Sequence, residues 1–161
     1  ESEVAVSEVF DSVMRIMGDR ATAASVRLVF EREAGLPHLK ADQRLLRQIL
    51  INLVSNAVKF SAPDKPVFVR AFMLPDSHMR LEVEDEGVGI PADKQKVVLE
   101  PFGQVNDPKH YRGQGTGLGL PLAKAMMELH GGHLTLDSTE GHGTKVSLDM
   151  PVERTMQARE R

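Results

Sequence analysis

The segment "ADQRLLRQILINLVSNAVKFS", residues 41–61, carries the longest helical pattern in the chain and constrains most of what can surround it. At 3.6 residues per turn, Leu46, Ile49, Leu50, Leu53, Val54 and Ala57 gather on one side and demand burial, with Asp42 placed to cap the first turn. On another side Asn52, Asn56 and Lys59 fall within about 60° of one another, although Leu45 intrudes there. Asparagine is a mediocre helix former, and an exposed face would more readily carry Glu, Lys or Gln. Two readings follow for this face: a solvated surface that happens to hold amides, or two carbonyl oxygens for a hard cation such as Mg²⁺ beside a lysine for phosphate.

The remaining chain alternates helix and strand. "SEVFDSVMRIM" reads as a first helix with Ser7 as its cap, and "VRLVFE" as a strand. "PVFVRAFML" and "MRLEVED" read as strands joined at Pro75-Asp76-Ser77, and "ADKQKVVL" as a short helix. Residues 100–115 have no clean period and read as a long loop. "LPLAKAMMELH" is helical, and "HLTLDS" and "TKVSLDM" form a hairpin around Glu140-Gly141-His142-Gly143. The expected fold is a two-layer α/β sandwich, a mixed and mostly antiparallel sheet covered on one face by helices.

Composition narrows the function. The 161 residues include 41% hydrophobic residues and no cysteine, so one domain can bury a real core, and disulfides and thiolate metal sites are excluded. A formal charge of −3 without a broad basic face argues against nucleic acid or an anionic membrane as partner. No apolar run approaches the ~20 residues that span a bilayer. The first residue is Glu, so the sequence reads as a piece of something longer.

Two further constellations carry chemistry. In "EDEGVGIP", Asp85 ends a half-buried strand and Gly87 and Gly89 follow at once. Asp85 is either a turn former or an acceptor for an exocyclic amine, with the glycines letting a flat ring approach the backbone. In "YRGQGTGLGLPLAKAMM", Gly113, Gly115, Gly117 and Gly119 lead into a helix whose first turn tolerates Pro121. Bare amides ahead of a helix N-terminus make a phosphate cradle, with a flexible hinge as the plainer reading. The run matches neither a P-loop nor a Rossmann fingerprint.

Taken in order, "NLVSNAVKFS", "DEGVGIP", "EPFGQV", "GQGTGLGL" and "GHGT" resemble the N, G1, F, G2 and G3 boxes of the catalytic ATP-binding domain of sensor histidine kinases. The resemblance covers about residues 5–151 and implies the Bergerat (GHKL) fold shared with heat-shock chaperone ATPases, MutL and type II topoisomerases. It implies ATP and Mg²⁺ as cofactors. Asn56 would be the metal ligand, Asn52 its neighbour, Lys59 a phosphate contact and Asp85 the acceptor for the adenine amine beside Gly87 and Gly89. Residues from about Pro91 to Gln114 would be the ATP lid, with Phe102 as its anchor and Arg112 and Gln114 on the phosphates. Gly115, Thr116, Gly117, Leu118 and Gly119 would form the cradle, and Thr144 would complete the nucleotide site. Asn52, Lys59 and Arg112 would position phosphate, and no catalytic base is assigned.

Cousins that hydrolyse ATP or phosphorylate serine hold a Glu four residues before the metal-binding Asn, where this chain has Asn52, a neutral amide that cannot take a proton near pH 7. The implied activity is therefore presentation of the γ-phosphate to a histidine on a separate dimerisation helix, with a response regulator receiver domain downstream and a homodimer in the full-length protein. His38, His78, His110, His130, His133 and His142 are followed by Leu, Met, Tyr, Gly, Leu and Gly, so none has the acid that follows the family's acceptor. Residues 1–5 are expected to end a linker from that upstream domain, 6–151 to be the catalytic domain and 152–161 a tail. The expected location is the cytoplasm, without nucleic-acid or membrane contact by this domain. A regulatory ATP-sensing pseudokinase and a GHKL-type ATPase are the competing readings.

Overall fold

Asp42 stops the preceding strand and starts the central helix: its carboxylate accepts the backbone amides of Arg44 at 3.0 Å and Leu45 at 3.3 Å. The computed structural model, which describes residues 1–100 and 119–156, places this helix (α2) at Gln43–Phe60. The predicted apolar face of α2 is buried, with Leu50 and Val54 fully inaccessible. Before it come β1 (Ser2–Val4), α1 (Val6–Ala23), β2 (Arg27–Arg32) and β3 (His38–Ala41). After it come β4 (Pro66–Met73), β5 (Met79–Asp85), α3 (Gly119–Leu129), β6 (His133–Thr139), β7 (Gly143–Met150) and β8 (Thr155–Met156).

Five strands form one sheet in the order β2-β4-β5-β7-β6. Only β2 and β4 run parallel; the other neighbours are antiparallel, as expected for this sandwich. Alternation along β4 and β5 sends Val67, Val69, Ala71, Met79, Leu81, Val83 and Asp85 to the helical side, where all are buried. The three helices pack on that face, α1 and α3 flanking α2. On the opposite face Arg70 lies over the Phe68 ring, 4.3 Å from its centroid, and pairs with Glu84 at 2.8 Å. Arg80 forks onto both carboxylate oxygens of Asp149 at 2.6 and 2.8 Å. Charge is thus segregated to one side of the sheet and the core to the other.

Two local expectations need correcting. Ser7 does not cap α1: the helix begins at Val6, and extended Ala5 precedes it without any side-chain cap. Val6 is itself buried, so packing draws the helix start ahead of the serine. "ADKQKVVL" forms two 3₁₀ turns, Ala92–Lys94 and Val97–Leu99, because so short a run cannot offset helix nucleation and only Val98 in it is buried. Beyond these, β1, β3 and β8, which the sequence patterns do not signal, form a second small sheet with β3 in the middle. Glu1 and Arg154 close this sheet with an ion pair at 2.6 Å.

Gly18 lies within α1, and a methyl group there would meet nothing within 4 Å. Gly18→Ala should therefore stabilise the domain by about 0.5–1 kcal/mol, the helix propensity gained. Urea unfolding checks this, and a loss of stability would contradict the open packing described for α1.

Candidate functional site

At the end of β5 the chain must leave the sheet beneath the last turn of α2, and this junction shapes a cleft. Asp85 folds its side chain back to accept the Gly87 amide at 2.9 Å, and the nearby backbone N–H of Thr144 on the neighbouring strand also favours its ionised form. Gly87 pairs with Ser61 just beyond α2, and Val88 donates to the Phe60 carbonyl at 3.3 Å. A side chain at Gly87 would overlap that same carbonyl, and one at Gly89, whose φ is +68°, would overlap the carbonyl of Thr139. The protein's own close packing thus accounts for both glycines. That reason was not visible in the sequence, which suggested room for a ligand.

The resulting cleft is narrow and partly open to solvent. Leu53, Asn56, Ala57 and Phe60 of α2 form one wall; Val83 and Asp85 of β5 with Thr144 and Val146 of β7 form the other. Val88, Gly89, Ile90, Pro91 and Leu120 close the rim. The surface is mainly apolar, and among the described residues lining it Asp85 is the one that is charged. Burial pushes its carboxyl up to about 6, against the two backbone amides that favour the ionised form. A mainly apolar cleft with a buried carboxylate acceptor suits a heteroaromatic ring carrying an amine.

Of the residues singled out from the sequence, Asn56, Asp85, Gly89 and Thr144 line this cleft, and Gly87 supports it from behind. Gly119, the first residue of α3, lies so that a methyl group on it would sit 3.5 Å from Asn56 Nδ2. The start of α3 and the amide of Asn56 therefore adjoin. Asn52 is one turn away on α2, its side-chain oxygen accepting from Gln48 Nε2 at 2.9 Å. Lys59 stands outside the lining with its Nζ 5.7 Å from the Phe60 ring centroid. Its ammonium is held below the ordinary lysine range by burial and by the charge of Arg20 on α1. Phe102, Arg112, Gln114, Gly115, Thr116, Gly117 and Leu118 lie outside the described residues. The apolar wall was the part sequence reading missed: Phe60, Val88, Ile90 and Leu120 have no pattern separating cleft from core.

The raised carboxyl of Asp85 sets a pH dependence of stability. Its folded value exceeds that of an unfolded aspartate, so folding carries no ionisation cost below about pH 4, and the cost grows as pH rises through about 6. Asp85→Asn keeps an acceptor oxygen and removes the charge. It should stabilise the ligand-free domain by about 2–3 kcal/mol near pH 8 and by little near pH 4. Chemical denaturation at the two pH values measures the difference, and a variant equally affected at both would contradict the burial argument.

Comparison with known proteins places this arrangement. Residues 41–154 match the family described as histidine kinase-, DNA gyrase B- and HSP90-like ATPases. The chain is 34% identical to the cell-division control histidine kinase PdhS of Brucella anthropi, covering 95% of the chain but 15% of that protein. It is 35% identical to the circadian input-output histidine kinase CikA of Synechococcus elongatus, covering 92% of the chain and 20% of that protein. A crystal structure of full-length ShkA in complex with AMPPNP superposes with a TM-score of 0.84 at 28% identity, over 98% of this chain and 32% of that one. The nucleotide-free catalytic domain of the histidine kinase ThkA shares the fold, with a TM-score of 0.79 at 22% identity over 93% of this chain and 96% of that one. The chain thus belongs to the histidine kinase-, DNA gyrase B- and HSP90-like ATPase family, on its sensor histidine kinase branch.

Proposed function

We propose that this domain binds ATP with Mg²⁺ and holds the terminal phosphate for transfer to a histidine on a separate dimerisation helix. The observation that carries the reading is the buried Asp85 at the inner end of an apolar slot. Its carboxylate accepts the adenine amine, while Leu53, Ala57 and Val146 cover the faces of the ring. From there the phosphates run toward Asn56 and the start of α3, where Lys59 lies on the following turn of α2. Asn56 offers a neutral amide oxygen, a hard donor suited to Mg²⁺, and among the described residues no cluster of three His, Cys, Asp or Glu side chains forms a rival metal site. Bound Mg²⁺ supplies positive charge that offsets the charge of the phosphates. The AMPPNP bound to ShkA supports a nucleotide as occupant.

Asn52 has no proton affinity near neutral pH, and Asp85, the carboxylate of the described lining, is committed to the base end of the cleft. Among the described residues of the cleft none is left to activate water, which favours positioning of phosphate for transfer over hydrolysis. In this reading residues 1–5 lead in from the dimerisation domain, residues 152–161 lead out, and the full-length protein is a homodimer serving a response regulator receiver domain. A cytoplasmic setting follows from the ATP requirement. Among the described residues no helix is long and apolar enough to cross a membrane.

Calorimetry with Mg²⁺ and ATP should show binding that Asp85→Ala weakens roughly 10- to 150-fold, the loss of a charge-assisted hydrogen bond worth ~1.5–3 kcal/mol. With radiolabelled γ-phosphate, the chain alone should hydrolyse ATP very slowly, and adding its own dimerisation hairpin should yield acid-labile phosphohistidine there, abolished by Asn56→Ala. Rapid turnover by the chain alone would favour a GHKL-type ATPase. Tight binding without transfer to a folded hairpin would favour a regulatory pseudokinase.

A further inference from the structure

Ser138 stands in register with Thr144 on β7, and Thr144 in turn with Asp85 on β5, so the three form one row across the sheet at the cleft. The Ser138 hydroxyl oxygen lies 2.8 Å from the Ile90 amide nitrogen, 3.0 Å from the Gly143 carbonyl oxygen and 2.8 Å from Thr144 Oγ1. A hydroxyl has one proton and two lone pairs. The Ile90 amide can only donate and the Gly143 carbonyl can only accept. All three contacts are satisfied in one arrangement: Ser138 donates to Gly143 and accepts from both Ile90 and Thr144. Thr144 has then committed its proton to Ser138, and its oxygen can act toward the cleft only as an acceptor.

The same corner is braced from outside. Gln95 Nε2 donates to the Ile90 carbonyl at 3.0 Å and to the Ser138 carbonyl at 2.8 Å, tying the cleft rim to β6. Ile90 and Thr144 both line the cleft, whereas neither Ser138 nor Gln95 does.

We propose that Ser138 is a positioning residue for base selection: it fixes Thr144 as an acceptor beside Asp85 and holds the Ile90 rim in place. The inner end of the cleft then presents two adjacent acceptors. It takes a ring bearing an amine and turns away one bearing a carbonyl there, as guanine does. The inference rests on the nucleotide reading above and adds to it the residue that sets the direction of the Thr144 hydroxyl.

Affinities for ATP and GTP, measured with Mg²⁺ near pH 8, test it through their ratio, which a merely destabilised but folded variant would leave unchanged. Ser138→Ala frees the Thr144 proton to turn toward the cleft, and the preference for ATP should fall about tenfold. Ser138→Thr, which restores the hydroxyl, should recover the preference to within about twofold. In a Thr144→Val background, Ser138→Ala should alter the ratio no further, because the route through Thr144 is gone. Should Ser138→Ala fail to fold, Ser138→Cys keeps its shape but accepts poorly, and should show the same loss in smaller measure. Hydrogen exchange of the Ile90 amide without nucleotide should quicken about tenfold or more in Ser138→Ala. An unchanged ratio in a folded variant, full additivity with Thr144→Val, or unaltered Ile90 exchange would each overturn the proposal while leaving ATP binding intact. A wild-type chain that binds no ATP would overturn the nucleotide reading and this inference together.

Discussion

The site depends on how β5 ends. Asp85 reaches the last position of a central strand and has to place a carboxylate on the helical, apolar side of the sheet. The Gly87 amide holds it there, and the nearby Thr144 N–H also favours its charge. They do not fully replace water, and burial keeps the carboxyl well above the ordinary aspartate range. The same turn brings Gly87 against the last carbonyl of α2 and Gly89 against the end of β6, so three elements close on one acceptor. An acceptor left short of donors in an apolar slot is a cost to the ligand-free fold and a selective handle for a ligand with a donor to give.

Segregation of charge across the sheet makes that arrangement tolerable. On the open face the carboxylates of Glu84 and Asp149 meet Arg70 and Arg80 at hydrogen-bonding distance. On the covered face no cation among the described residues offsets the charge of Asp85, and like-charged Glu84 raises its carboxyl further. Two acids one residue apart on β5 therefore meet opposite environments, because strand periodicity sends their side chains to opposite faces. Glu84 belongs to the structural ladder, while Asp85 is left for the cleft.

Much of this was legible in the sequence because its signals are local. Asp42 caps α2 through its own first turn, and the apolar spacing of α2 assigned its buried face residue by residue. Strand alternation in "MRLEVED" likewise placed Asp85 at a half-buried strand end. What escaped was set by partners distant in sequence. The strand β3 has four residues, too few for a period, and exists because β1 and β8 pair on either side of it. The start of α1 was misplaced because a buried Val6 outweighed a nearby serine. Gly87 and Gly89 were singled out for a ligand, but the atoms that require them in the fold, in Phe60 and Thr139, belong to other elements. Ser138 carried no sequence signal, since its role depends on an amide 48 positions away.

The central claim, that Asp85 recognises the base by accepting its amine, is tested most directly by following the carboxyl carbon of Asp85 through a pH titration by NMR. Without nucleotide the transition should fall at about 6. With saturating Mg²⁺ and ATP a donated hydrogen bond favours the ionised form, and the transition should drop to or below the ordinary aspartate value of about 3.9. A transition that stays at its ligand-free position while ATP is demonstrably bound would contradict the account, since the nucleotide would then be held without engaging the buried carboxylate of its cleft.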